Sequence, residues 1–191
     1  MKAQQEVITY ILITAVMIIV ISSAYIWGSS IVERNRDVTL LNRAEKLMKD
    51  LNNKIKNVAN SGGRDSIYID FGVFSFENGI ITFFLETRAT IYEPGKRIYF
   101  IKNQDCHYTG SCILGRDEPE IFYVYSRMID KNYYTTYFLT YRELVSPQDG
   151  SRYLIVLNGE KLMGTGSVII ENMGRVFEDG VAKTIINIRL A

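Results

Sequence analysis

The sequence predicts an α+β architecture: a long N-terminal transmembrane helix followed by an antiparallel β-sandwich or open-barrel domain. Three observations carry this expectation. Residues 7–27 contain no charge. Leu41, Ala44, Met48, Leu51, Ile55 and Val58 then recur at steps of three and four, the spacing of an apolar helical stripe. Beyond Gly63 the pattern changes to short apolar runs of period two separated by turn residues, the signature of half-buried strands.

The uncharged run comes first. About 20 apolar residues, rising about 30 Å as a helix, cross the hydrocarbon of a bilayer. A cleaved secretory signal has a shorter apolar region that ends at small residues. Here Tyr25-Ile26-Trp27 continues past Ser22-Ser23-Ala24. Gly28-Ser29-Ser30 is the expected weak point, because glycine costs about 1 kcal/mol relative to alanine inside a helix. After it, residues 32–59 are rich in helix formers and contain no proline. The stripe on that segment fits packing onto the chain's own domain, or onto neighbouring subunits. Ala24 and Gly28 make one small-xxx-small pair that permits close helix approach. Asn60-Ser61-Gly62-Gly63 supplies residues that tolerate a left-handed helix cap.

Strands are expected at residues 66–76, 80–92, 97–102, 121–128, 133–145, 152–157, 160–171 and 180–190. Asn78-Gly79 and Asn158-Gly159 each stand between apolar runs, a strong short-range hairpin signal. Glu93-Pro94-Gly95-Lys96 marks a further turn. All nine Phe, and all of the thirteen Tyr except Tyr10 and Tyr25, follow Gly63. The runs Phe122-Tyr123-Val124-Tyr125 and 133–138 alternate faces, so some rings point outward. Outward Tyr suits either a partly exposed sheet or a contact surface.

Composition narrows the function. A net charge of +1 gives no basic field for nucleic acid, and nucleic-acid binding is not expected. Lys2 precedes the apolar run, while Arg34 and Arg36 beyond it are balanced by Glu33 and Asp37; charge bias therefore sets no topology. Cys106 and Cys112 enclose a short loop that can close as a disulfide if the chain bends at Gly110. A Cys-His-Cys metal set with His107 is the sharper alternative, but it offers three ligands where zinc takes four; free thiols are the third option. No metal and no cofactor are expected. Catalytic signatures are absent: there is no phosphate-binding Gly-rich loop, no nucleophile elbow and no His-Glu-x-x-His. Asp117-Glu118-Pro119-Glu120 reads as a charged loop, and Gly164-Thr165-Gly166 as a bulge or turn. The chain is not expected to be an enzyme.

The head of the sequence carries a resemblance. Lys2-Ala3, then Gln4-Gln5-Glu6-Val7-Ile8, then the apolar helix, resembles the class III signal peptide of archaeal type IV pilin-like proteins. The resemblance covers about the first 30 residues. It departs from bacterial pilins, whose carboxylate lies further from the cut, and it lacks the Gly-rich start of archaeal flagellins. It implies that a prepilin peptidase-like membrane protease cleaves between Ala3 and Gln4, removing residues 1–3 as a leader. The helix, residues 4–61, would remain in the mature chain as a transmembrane or filament-core helix, and residues 62–191 would form an extracellular β-domain. It further implies a homo-oligomer assembled through N-terminal helices by an assembly ATPase and a platform membrane protein. The product would be a surface filament used in adhesion, made from a single-pass membrane precursor. Glu6 would pair with groups on adjacent subunits during assembly, since a charge in an apolar bundle is tolerated only when matched. A minor pilin or archaellum-associated stator subunit that stays in the membrane is the alternative, as is a plain single-span surface protein with a ligand-binding β-domain.

Overall fold

The structure is a computed structural model that describes residues 2–101, 106 and 111–191, with the side chains of residues 2–9 and Ser30 outside the description. The α+β expectation holds. Helix α1 spans Lys2–Ser61 without interruption, a rod of about 90 Å at 1.5 Å per residue. The weak point expected at Gly28-Ser29-Ser30 does not break it. Ser29 Oγ donates to the Ile26 carbonyl at 3.0 Å, within the helix's own turn. The end is as expected: Gly62 N–H returns to the Val58 carbonyl at 3.0 Å, an acceptor shared with Asn172 Nδ2 at 2.8 Å.

Among the described residues nine strands follow: β1 (Arg64–Glu77), β2 (Ile80–Thr87), β3 (Arg97–Tyr99), β4 (Glu120–Ile129), β5 (Asn132–Tyr141), β6 (Leu144–Val145), β7 (Arg152–Asn158), β8 (Leu162–Glu178) and β9 (Val181–Leu190). They form one sheet in the order β3-β4-β5-β2-β1-β8-β9-β7-β6. Every pair is antiparallel except β7 with β9. The β1–β2 hairpin turns at Asn78-Gly79, both at positive φ (52° and 76°). That is the backbone of the two-residue turn whose twist matches its strands.

Asn158-Gly159 is not a hairpin. The strand that follows β7 in the chain is β8, but β9 lies between the two and pairs with both. The 159–161 connection instead crosses the end of β9. A Cβ on Gly159 would sit 2.4 Å from the Ile188 carbonyl oxygen, so the backbone passes too close for any side chain. Other bounds shift for local reasons. The strand expected over 80–92 stops at Thr87 because the next two backbone N–H groups bond the helix. The strand expected over 133–145 divides into β5 and β6. At the break, Arg142 N–H donates to the Pro119 carbonyl at 2.8 Å.

That break shapes the whole sheet. Only Arg142 and Glu143 separate β5 from β6, a step of about 10 Å at most. Yet β6 lies at the far edge of the strand order. The sheet must curl until its halves approach, and β5 does lie beside β7. Residues before β4 run along the seam: Val145 N–H donates to the Cys112 carbonyl and Leu114 N–H to the Val145 carbonyl, at 2.8 and 2.9 Å. The upper half of α1 fills this open barrel. Leu41, Ala44, Met48, Leu51, Ile55 and Val58 are buried against Ile69, Phe74, Phe83, Val124, Leu139, Val168 and Ile186. Each large side chain so removed from water contributes about 1.5–3 kcal/mol. The stripe is therefore spent on the chain's own domain.

Candidate functional site: the bare half of the helix and the seat that holds it

Below the head, the described side chains of α1 stand in the open. From Tyr10 to Val32 the described large apolar side chains are all exposed, including Tyr25 at 76% and Trp27 at 72%. Between Glu6 and Glu33 the sequence has no ionisable acid or base other than tyrosine. The segment is long and apolar enough to cross a membrane by length and composition. Two of its hydroxyls are satisfied within the helix itself. Thr14 Oγ1 donates to the Tyr10 carbonyl and Ser23 Oγ to the Ile19 carbonyl, each at 2.8 Å. Such internal bonding removes the main penalty for placing hydroxyls in hydrocarbon. Tyr10 at one end and Tyr25 and Trp27 at the other stand about 25 Å apart along the axis, the disposition of aromatic belts at the two bilayer interfaces.

Where the helix enters the head, polar residues fix its height. Asp37 Oδ2 accepts the backbone N–H groups of Arg88 at 2.7 Å and Ala89 at 3.0 Å. The Arg88 guanidinium pairs with Glu33 at 2.9 Å. A shallow cavity of about 530 Å³ lies here, lined by Glu33, Arg36, Asp37, Leu40, Glu86, Thr87, Arg88 and Asn132. One helical turn up, Tyr137 OH donates to the Leu41 carbonyl at 2.9 Å, Tyr92 OH donates to Glu45 at 3.0 Å, and the two phenol oxygens lie 3.0 Å apart. Two hydroxyl protons serve three contacts. Burial, reinforced by Glu45, pushes both phenols well above the usual tyrosine range. Higher still, Tyr141 OH donates to Asn52 Oδ1 at 2.7 Å. Asn52 Nδ2 and Lys56 Nζ converge on Glu120 Oε1 at 2.7 and 3.0 Å. Burial pushes Tyr141 up strongly as well. For Lys56 burial opposes the charge, but the hydrogen bonds and charges of Glu120 and Glu118 outweigh it and hold the ammonium above its ordinary range. At the flank, Arg43 forks onto Asp70 at 2.9 and 2.7 Å and lies 4.5 Å over the Phe71 ring.

The residues singled out in the sequence fall as follows. The side chains of Lys2, Ala3, Gln4 and Glu6 lie outside the described residues, as does His107. Cys106 and Cys112 are joined by a disulfide with Cα atoms 5.1 Å apart, packed with Leu144. The carboxylates of 117–120 are built into the fold. Asp117 Oδ2 accepts Ile113 N–H at 2.7 Å, while Glu118 and Glu120 hold Lys56. Gly164-Thr165-Gly166 lies opposite the β1 bulge between Ile69 and Phe74. Among the described residues, no group of three His, Cys, Asp or Glu is arranged for a metal ion. Outward rings of β3, β4 and β5 cover one another: Tyr123 stacks on Phe138 with centroids 4.7 Å apart and meets Tyr99 at 5.3 Å.

The seat itself escaped the sequence reading. Asp37, Glu45 and Asn52 stand three or four residues from Leu41, Met48 and Ile55, so each is a polar residue on the apolar stripe. That misplacement was the available signal. Compared with known protein families, with characterised proteins and with solved structures, the chain matches none.

Proposed function

We propose that this chain is a type IV pilin-like structural subunit, held in the membrane by the bare half of α1 and presenting its β-domain outside. The observation that supports this most is the division of one unbroken helix. Its upper half packs its apolar stripe into the chain's own sheet, whereas its lower half presents about 35 Å of exposed apolar surface. A subunit whose lower helix moves from lipid into a helical bundle needs that arrangement, and a rigid connection to carry the head with it. The Lys2-Ala3/Gln4 order adds a processing site at the correct end, and Glu6 a charge to set register between subunits. Among the described residues no catalytic constellation competes: Tyr92, Tyr137, Tyr141 and Glu120 are bonded to the helix, and Asp117 to the Ile113 N–H.

Intact-mass measurement on natively produced protein tests the reading. A mass beginning at Gln4, found in sheared surface material, supports a filament subunit. The same mass confined to membranes supports an accessory or stator subunit instead. Retention of Lys2 and Ala3 removes the pilin reading and leaves a single-span anchor.

A further inference from the structure

We infer that the tip of the β4–β5 hairpin, centred on Met128 and Ile129, is a second membrane contact that rests on the lipid surface from which α1 emerges. The inference rests on the span reading of the helix and not on filament assembly.

The height of the tip follows from two bonds between β5 and α1 and from one cavity that both line. Tyr141 bonds Asn52. Tyr137 bonds the Leu41 carbonyl. Asn132 shares a cavity with Glu33, Arg36 and Asp37 and is fastened there by its bond to Glu86 at 2.6 Å. The strand thus runs down the helix towards its apolar half. One strand residue advances about 3.3 Å, the rise of about two helix residues. Extrapolated from these points, the turn at Asp130-Lys131 comes level with roughly residue 30 of the helix, about 5 Å beyond Trp27. If Trp27 marks the edge of the hydrocarbon, as interfacial tryptophans do, that height is the headgroup layer, which is about 5–7 Å deep on each side.

The side chains at this height suit it. Met128 continues the inward row of Val124 and Ser126, but beyond the seat of the helix no core lies beneath it; it is 57% exposed. Ile129 beside it is 40% exposed. In water two adjacent apolar side chains at a hairpin tip gain nothing; at an interface they bury, at about 25 cal/mol per Å². Exposed Arg127 and Lys131 bracket them, with Asp130 between. Long cationic side chains in that position reach lipid phosphates while their stems lie along apolar surface. With the span as one point of attachment and this tip as another, the head is held in one orientation instead of swinging about the helix axis.

The chain has one tryptophan, Trp27, which provides both probe and control. The full chain is reconstituted into vesicles of phosphatidylcholine and phosphatidylglycerol with brominated acyl chains, as wild type and as Trp27→Phe combined with Ile129→Trp. The expected result is quenching of Trp27 in the wild type. The tryptophan at 129 should be blue-shifted and quenched to at least half that extent, whereas one placed by Asn53→Trp in the same background should be unaffected. Trp27 quenched with 129 unquenched and open to aqueous iodide overturns the inference and leaves the span intact. An unquenched Trp27 removes the span reading and the inference with it. A blue shift at 129 that persists in detergent and ignores bromine places protein over the tip, and also overturns the inference.

Discussion

The two halves of α1 share one backbone and differ in charge and in where their apolar residues stand. In the lower half they occupy every side, from Tyr10 to Val32, and every one is exposed. In the upper half they are confined to one stripe, and that stripe is buried to the last residue. A helix with an apolar face finds a sheet; a helix apolar all round needs a different solvent. Continuity makes the contrast mechanically useful, because any displacement of the lower half is delivered to the head without a hinge at Gly28.

The largest expected effect separates the halves most sharply. Leu51→Asp buries an unpaired carboxylate in the barrel core and should cost more than about 4 kcal/mol. Limited proteolysis should show the head unfolded, while resistance to carbonate extraction from membranes stays as in the wild type. Next, Ile18→Arg places a charge at mid-span at a cost of about 3 kcal/mol. The chain should shift to the extractable fraction with an unchanged thermal midpoint for the head. If either variant produced both defects, the halves would not be independent.

The seat gives smaller effects with a pH signature. Tyr92, Tyr137, Tyr141 and Lys56 all have folded pKa values raised above their ordinary ones. Above about pH 10 the unfolded chain therefore releases these protons first, binds fewer protons than the folded chain, and is favoured as pH rises. The stabilisation is whole below about pH 10 and falls beyond it. Urea midpoints measured from pH 8 to 11 should show that fall. Tyr141→Phe should cost about 1–2 kcal/mol at pH 7, by leaving Asn52 short of a donor, and should make the alkaline slope shallower. The smallest effect is at the entrance: Asp37→Asn should cost about 1 kcal/mol or less. Its readout is faster hydrogen exchange at the Arg88 and Ala89 amides, with the core amides unchanged.

What the sequence made legible was whatever depends on neighbours in the chain. The stripe from Leu41 to Val58, the Gly62 cap and the Asn78-Gly79 turn are local patterns, and all appear in the structure. Asn158-Gly159 carried the same local hairpin signal and failed, because the place beside β7 is taken by β9, which is distant in sequence. The break at Arg142 was invisible for a similar reason: the ladder from β5 to β4 makes its last bond at the Pro119 carbonyl, and where β4 begins is not written near Arg142 in the chain. The seat was half legible. Asp37 and Asn52 were out of place on an apolar face, but the partners that justify them, the Arg88 amide and Glu120, lie 51 and 68 residues away.

The insertion of β9 between β7 and β8 has a consequence in time as well as in space. A ribosome releases β7 and β8 before β9, yet neither can complete its place in the sheet until β9 has been made. During that interval β7 has no partner but the two-residue β6, and β8 keeps one open edge beside β1. Formation of this third of the barrel is thus deferred to the late stage of synthesis, when pairing across long chain separations slows it further. Meanwhile α1 is already complete, and its bare half is ready for the bilayer. With that half in a bilayer, as proposed, the order of manufacture favours a chain that is tethered first and folded second, with unpaired strands held at a surface and kept apart from one another while they wait.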